Sequence, residues 1–131
     1  MEVLEFNGAV PAIEGKVVTE LLCIEMWCDG NLEEQANVIY LKIDECWYRH
    51  YFDCGIIFWR CDSVSPNSFS MDELNCFFKV VNLKEKLSLG SLELASLSFH
   101  SIEGGSKSVF TFSDDRSITF SNQNDVTSYM A

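Results

Sequence analysis

Apolar and polar residues alternate along much of this chain with a period near two, the spacing of strands that bury one face. The stretch VIYLKID (38–44) puts Ile39, Leu41 and Ile43 on one face and Val38, Tyr40, Lys42 and Asp44 on the other. The last third repeats the pattern as a meander, with strands at 91–102, 108–113 and 117–121 divided by the turn signals EGGSK and DDRS. Leu92 and Leu94 share one parity there, and Phe110 and Phe112 alternate with Val109, Thr111 and Ser113. KVVTELLCIEMWC (16–28) also admits helical spacing through Val18, Leu21, Leu22 and Glu25. Its Val, Thr, Ile and Trp content and the DGN that follows favour a strand and a hairpin. An acidic loop, NLEEQAN (31–37), is expected next.

The densest stretch is CWYRHYFDCGIIFWRC (46–61). Two aromatic-rich runs flank DCG, so it reads as a hairpin with a three-residue turn, Gly55 taking the left-handed conformation. That register sets Phe52 against Ile56, His50 against Phe58 and Arg49 against Trp59. Trp47, Arg49, Tyr51, Ile57, Trp59 and Cys61 then share a face. Ser70 and Glu73 have capping-box spacing for one helical turn, 75–83 reads as a strand, and KEKLSLG (84–90) as a short helix closed by Gly90. EVLEF (2–6) alternates loosely, and the tail after Gln123 is polar and expected to fray. The prediction is one domain over 1–131, with 124–131 as the frayed tail. It is mainly β: an antiparallel sandwich or open barrel built from hairpins and a meander, with at most one or two short helices.

Chemistry enters through the same hairpin. Cys46, His50 and Cys54 are acceptable zinc ligands four residues apart, but on a strand that spacing spans about 13 Å. Ligands of one zinc lie within about 4 Å of each other, so the strand reading excludes a shared metal. A thiol nucleophile needs a base, and His50 and His100 are the only histidines. Cys46 or Cys54 with His100 has no supporting sequence context. EGGSK lacks the phosphate-loop order, and the adjacent acids Glu33/Glu34, Asp44/Glu45, Asp72/Glu73 and Asp114/Asp115 point to opposite faces or into solvent. No catalytic, cofactor-binding or metal-ligating residue is therefore assigned, and no enzyme activity or cofactor is expected.

Composition narrows the partner. With 20 acidic residues against 9 basic ones, the net charge is −11. That balance disfavours nucleic acid and anionic membranes and suits a basic protein. No apolar run approaches the roughly 18 residues needed to span a bilayer, and the first ten residues lack the pattern of a secretory signal. A cytoplasmic location is expected, with the six cysteines as reduced thiols.

Trp47, Arg49, Asp53, Gly55 and Trp59 form the pattern Trp-x-Arg-x-x-x-Asp-x-Gly-x-x-x-Trp. It resembles a hairpin in small, acidic, β-rich bacterial proteins of the toxin-immunity type. The resemblance covers about a quarter of the chain and implies no catalytic residues. The expectation is a non-catalytic cytosolic binding protein of the immunity type. It would occlude a cognate toxin domain through an acidic surface, with Asp29, Glu33 and Glu34 as contacts. The alternative is a structural or regulatory β-module that binds a small ligand or another protein.

Overall fold

In the computed structural model, residues 3–62, 64–90 and 92–131 are described. Among them the chain is mainly β, as the alternation predicts, and two sheets pack around a common core. One sheet has the order β1-β6-β5-β4-β3-β8-β7. Its strands are β1 (Phe6–Asn7), β3 (Glu20–Cys28), β4 (Asn31–Ile43), β5 (Cys46–Asp53), β6 (Ile56–Asp62), β7 (Phe69–Met71) and β8 (Cys76–Asn82). All neighbours in it are antiparallel except β1, which lies parallel to β6. The second sheet is the predicted meander β9 (Leu92–Ile102), β10 (Gly105–Phe112), β11 (Ser117–Gln123) and β12 (Val126–Met130), with β2 (Val17–Val18) beside β9.

The core lies between the sheets. Leu21, Ile39, Leu41, Ile43, Ile57 and Trp59 come from the first, and Leu92, Leu94, Phe110, Phe112, Ile118 and Phe120 from the second. Each such side chain contributes about 1.5–3 kcal/mol by leaving water. The only α-helix described, α1 (Leu83–Lys86), begins where Asn82 Oδ1 accepts from Glu85 N at 3.1 Å, and it buries Leu83 against the core. It falls one residue before the expected start and ends well before Gly90. Among the described residues no helix is long and apolar enough to cross a membrane.

Four local expectations are corrected. The segment 16–28 is not one strand: β2 pairs with β9 in one sheet and β3 with β4 in the other, so the chain changes sheets at Thr19. The predicted acidic loop 31–37 is the first half of β4, bulged where Met26 faces Glu34 and Trp27 faces Leu32. The polar tail does not fray, because Val126 to Met130 pair with β11. Ser70 caps no helix; it lies in β7, and a 3-10 turn follows at Asp72–Leu74.

The aromatic hairpin forms, but one residue out of the expected register. Its turn is Cys54–Gly55, with φ of 50° and 80°, and Asp53 faces Ile56. His50 therefore faces Trp59, and Arg49 faces Arg60. A one-residue slip exchanges the faces of a strand. His50, Phe52, Ile57 and Trp59 point into the core, whereas Arg49 stacks over Tyr51 and Arg60 over Phe58, each at 5.5 Å.

The hairpin tip clasps the second sheet. Cys54 N donates to Asp125 Oδ1 at 2.9 Å and Gly55 N to Asn122 Oδ1 at 3.1 Å, while the Ser106 hydroxyl donates to the Gly55 carbonyl at 2.6 Å. A second clasp joins β4 to β12. Glu34 Oε2 accepts from Thr127 N at 2.7 Å, and Gln35 Oε1 accepts from Tyr129 N at 3.2 Å. Side chains of one sheet thus satisfy main-chain donors on the edge of the other.

Candidate partner-binding end

The chemically reactive residues are dispersed or spent on structure. His50 is fully buried and stacked on Trp59, with ring centroids 4.4 Å apart. The Phe58 carbonyl can only accept, so Nδ1–H donates to it at 3.0 Å and Nε2 accepts from the Ser108 hydroxyl at 2.9 Å. Burial pushes the imidazole pKa from its ordinary 6.5 down to about 4, against a smaller upward pull from the Phe58 carbonyl. With both nitrogens occupied by partners from two strands, this ring is a cross-sheet peg. Cys46 and Cys54 stand at opposite ends of the same hairpin, as the strand argument requires. The His100 ring is exposed and bonds with the Ser98 hydroxyl at 3.1 Å.

Asp53, Cys54 and Asp125 do place ligand atoms within 4.8 Å of one another on the surface. Asp125 first, and Asp53 beside it, push the Cys54 thiol pKa upward. That disfavours the thiolate, which both nucleophilic attack and metal ligation require. Cys23 is pushed further, to about 12, by burial and then by the Glu25 charge, with Lys86 opposing.

Cys28 and Cys76 were expected as reduced thiols and are joined by a disulfide. The pairing of β3 with β8 sets them directly opposite, with Cα atoms 4.1 Å apart. The bridge marks the end of the molecule where two chain reversals meet. One is the β3–β4 turn at Asp29–Gly30, and the other is the 3-10 turn Asp72–Leu74. Asp29 N donates to the Asn75 carbonyl at 3.0 Å, and Asn75 Nδ2 donates back to Asp29 Oδ1 at 2.9 Å.

This end carries an uncommon surface. Leu32, Trp27 and Phe77 form one row across β4, β3 and β8. Leu32 and Phe77 are exposed, as are Phe69 and Met71 of β7 and Leu74 of the turn, the last at 62%. A depression of about 430 Å³ is lined by Met71, Asp72, Glu73 and Leu74. Asp29, Glu33, Asp72 and Glu73 are exposed around these apolar groups. Neither 25–37 nor 64–78 contains a lysine or arginine; Lys79, exposed two residues beyond Phe77 on the same face of β8, is the nearest basic residue in the sequence.

Of the three carboxylates expected to contact a partner, Asp29 and Glu33 are on this surface. Glu34 is not: it is 9% exposed, and its oxygens are engaged by Thr127 N and by Asn37 Nδ2 at 2.7 Å. No family model, curated protein or solved structure significantly matches the chain. The geometry of this end therefore carries the functional argument. The apolar members of the site went unnoticed in the sequence because they lie on short strands far apart in the chain. The available signal was the lysine- and arginine-free run 61–78, with Phe69, Met71, Leu74 and Phe77 beside Asp72 and Glu73.

Proposed function

We propose that this chain is a binding protein of the immunity type, which silences a basic toxin domain by covering its working surface. The observation that carries the reading is the run of exposed apolar residues at this end, Leu32 and Phe77 on one face of the sheet and Met71 with Leu74 beside the turn on the other side, with Asp29, Glu33, Asp72 and Glu73 exposed at the same end. Exposed apolar groups rimmed by polar residues mark interaction surfaces on soluble proteins. The apolar centre supplies affinity, and the carboxylates steer a basic partner and speed encounter. The hairpin resemblance and the charge of −11 support the same reading. Three exposed free thiols, Cys46, Cys54 and Cys61, suit a reducing cytoplasm, while the Cys28–Cys76 bridge suits an oxidising compartment.

The test is co-expression with the product of the adjacent gene, scoring growth rescue and co-purification. Wild-type protein should rescue. Combined reversal by Asp29→Lys, Glu33→Lys and Asp72→Lys should weaken binding by about tenfold or more, since each exposed charge contributes up to about 1 kcal/mol. It should also flatten the salt dependence of association. A harmless neighbour that does not co-purify overturns the reading. A second reading, a small-ligand module, draws on a cavity of about 360 Å³ lined by Gly8, Ala9, Pro11, Tyr48, Trp59, Arg60 and Cys61. Under it, Tyr48→Ala would abolish function and the triple reversal would not.

A further inference from the structure

Among the described residues four strands end the two sheets, and β7, with three residues, is the longest that is not covered. The β12 edge is capped by Glu34 and Gln35 side chains, and β1 and β2 are two residues each. Asn7 beside β6 is further held by Arg60, whose guanidinium donates to its carbonyl at 2.9 Å and its side-chain oxygen at 2.7 Å. β7 differs. It pairs with β8 on one side only, and all three of its residues are exposed. Phe69 stacks on Phe78 at 4.6 Å, which holds the strand flat against its neighbour. Ser68 prolongs the edge by accepting, through its hydroxyl, from Val80 N at 2.9 Å.

We propose that β7 receives the partner as an added strand. The occupant is an extended segment of a basic protein, with apolar residues on one face and a lysine or arginine at the end that meets Asp72 and Glu73. Three observations lead there. An exposed strand edge presents a row of main-chain donors and acceptors that an extended peptide completes. Phe69 and Met71 point to one side of β7 and Ser70 to the other, so a peptide with alternating side chains meets an apolar face at every second residue. Charge selects the sign of the partner at one end of the strand, because Asp72 and Glu73 follow β7 directly, while Lys79 on β8 stands beyond the other end. A second copy of this chain brings another −11 to the same edge and is repelled.

The proposal rests on the immunity reading for the identity of the partner, but its test is separable. The probe is an eight-residue peptide of alternating lysine and valine, compared with two versions N-methylated at one or the other set of alternate residues. All three carry the same charge and side chains, and each methylated version lacks the main-chain donors of one peptide edge. Anisotropy should show the unmodified peptide binding, and at least one methylated version binding tenfold or more weaker. Hydrogen exchange should slow at the main-chain amides of 69–71. Equal binding of all three, no binding, or no added protection at 69–71 overturns strand addition. So does a concentration-dependent dimer that the peptide fails to disperse. If strand addition fails while the triple charge reversal still abolishes growth rescue, the surface reading stands and only the mode of docking falls.

Discussion

His50 makes acid sensitivity a calculable property of this fold. Its folded-state pKa is about 4, against an ordinary value of 6.5. Above pH 6.5 the ring is neutral in both folded and unfolded chains and contributes nothing to the pH dependence. Between 6.5 and 4 the unfolded chain binds a proton that the folded core refuses, so stability falls as pH falls. Each unit is worth about 1.4 kcal/mol, so the interval removes about 3 kcal/mol. That is a large share of the roughly 5–15 kcal/mol that holds a domain of this size together. Below pH 4 both states are protonated and the loss stops growing.

The assay is urea unfolding at pH 7, 6, 5 and 4 for wild type and for His50→Gln, which does not titrate but retains a donor and an acceptor. The cost of glutamine at neutral pH drops out, because the readout is the change in the difference between the two proteins. Carboxylates common to both also cancel. The difference should shift by about 3 kcal/mol in favour of the variant between pH 7 and pH 4. Parallel curves would show that the ring gains its proton without opening the core, and would refute the reasoning.

Two further outcomes test the clasp and the thiols. Glu34→Leu removes the acceptor for Thr127 N, so it should lower stability by about 1–3 kcal/mol in denaturant unfolding and speed exchange of the Thr127 amide; unchanged exchange would dissociate the cap from the edge. In native protein purified without reductant, thiol titration should show Cys46 and Cys61 reacting promptly and Cys54 more slowly, because the Asp125 and Asp53 charges disfavour its thiolate. Cys23 should react only on unfolding, and Cys28 and Cys76 only after reduction; six prompt thiols would contradict the arrangement.

The parts of this structure legible in the sequence are those set by local alternation. The β9–β11 meander, the aromatic hairpin and the strand after residue 75 follow from period-two patterning and turn residues within a few positions. What escaped depends on distant partners. The hairpin register turned on whether Asp53 belongs to the turn; a two-residue turn here requires Cys54 at φ 50°, a position that asparagine or aspartate more often fills. Glu34 reads as a loop residue because its burial is compensated by an amide 93 residues away. The disulfide depends on the β3–β8 register across 48 residues, which no spacing rule encodes. Asp29 and Glu33 are exposed for local reasons, at and beside a turn tip, while Leu74 and Phe77 come to the same end only through that same register.

The reach of the Glu34–Thr127 clasp also bears on how the chain arrives at its fold. Residues 93 apart must meet before a buried carboxylate is satisfied, and such distant closure is entropically slow. The β3–β4 and β9–β10 hairpins can form early from local pairing, but until β12 docks Glu34 has only the local Asn37 amide as a partner and lacks Thr127 N. Closure of the two sheets is therefore expected as a late, all-or-none event. An intermediate halted before it would present Glu34, Ala36 and the unfinished edge of β4 to other chains.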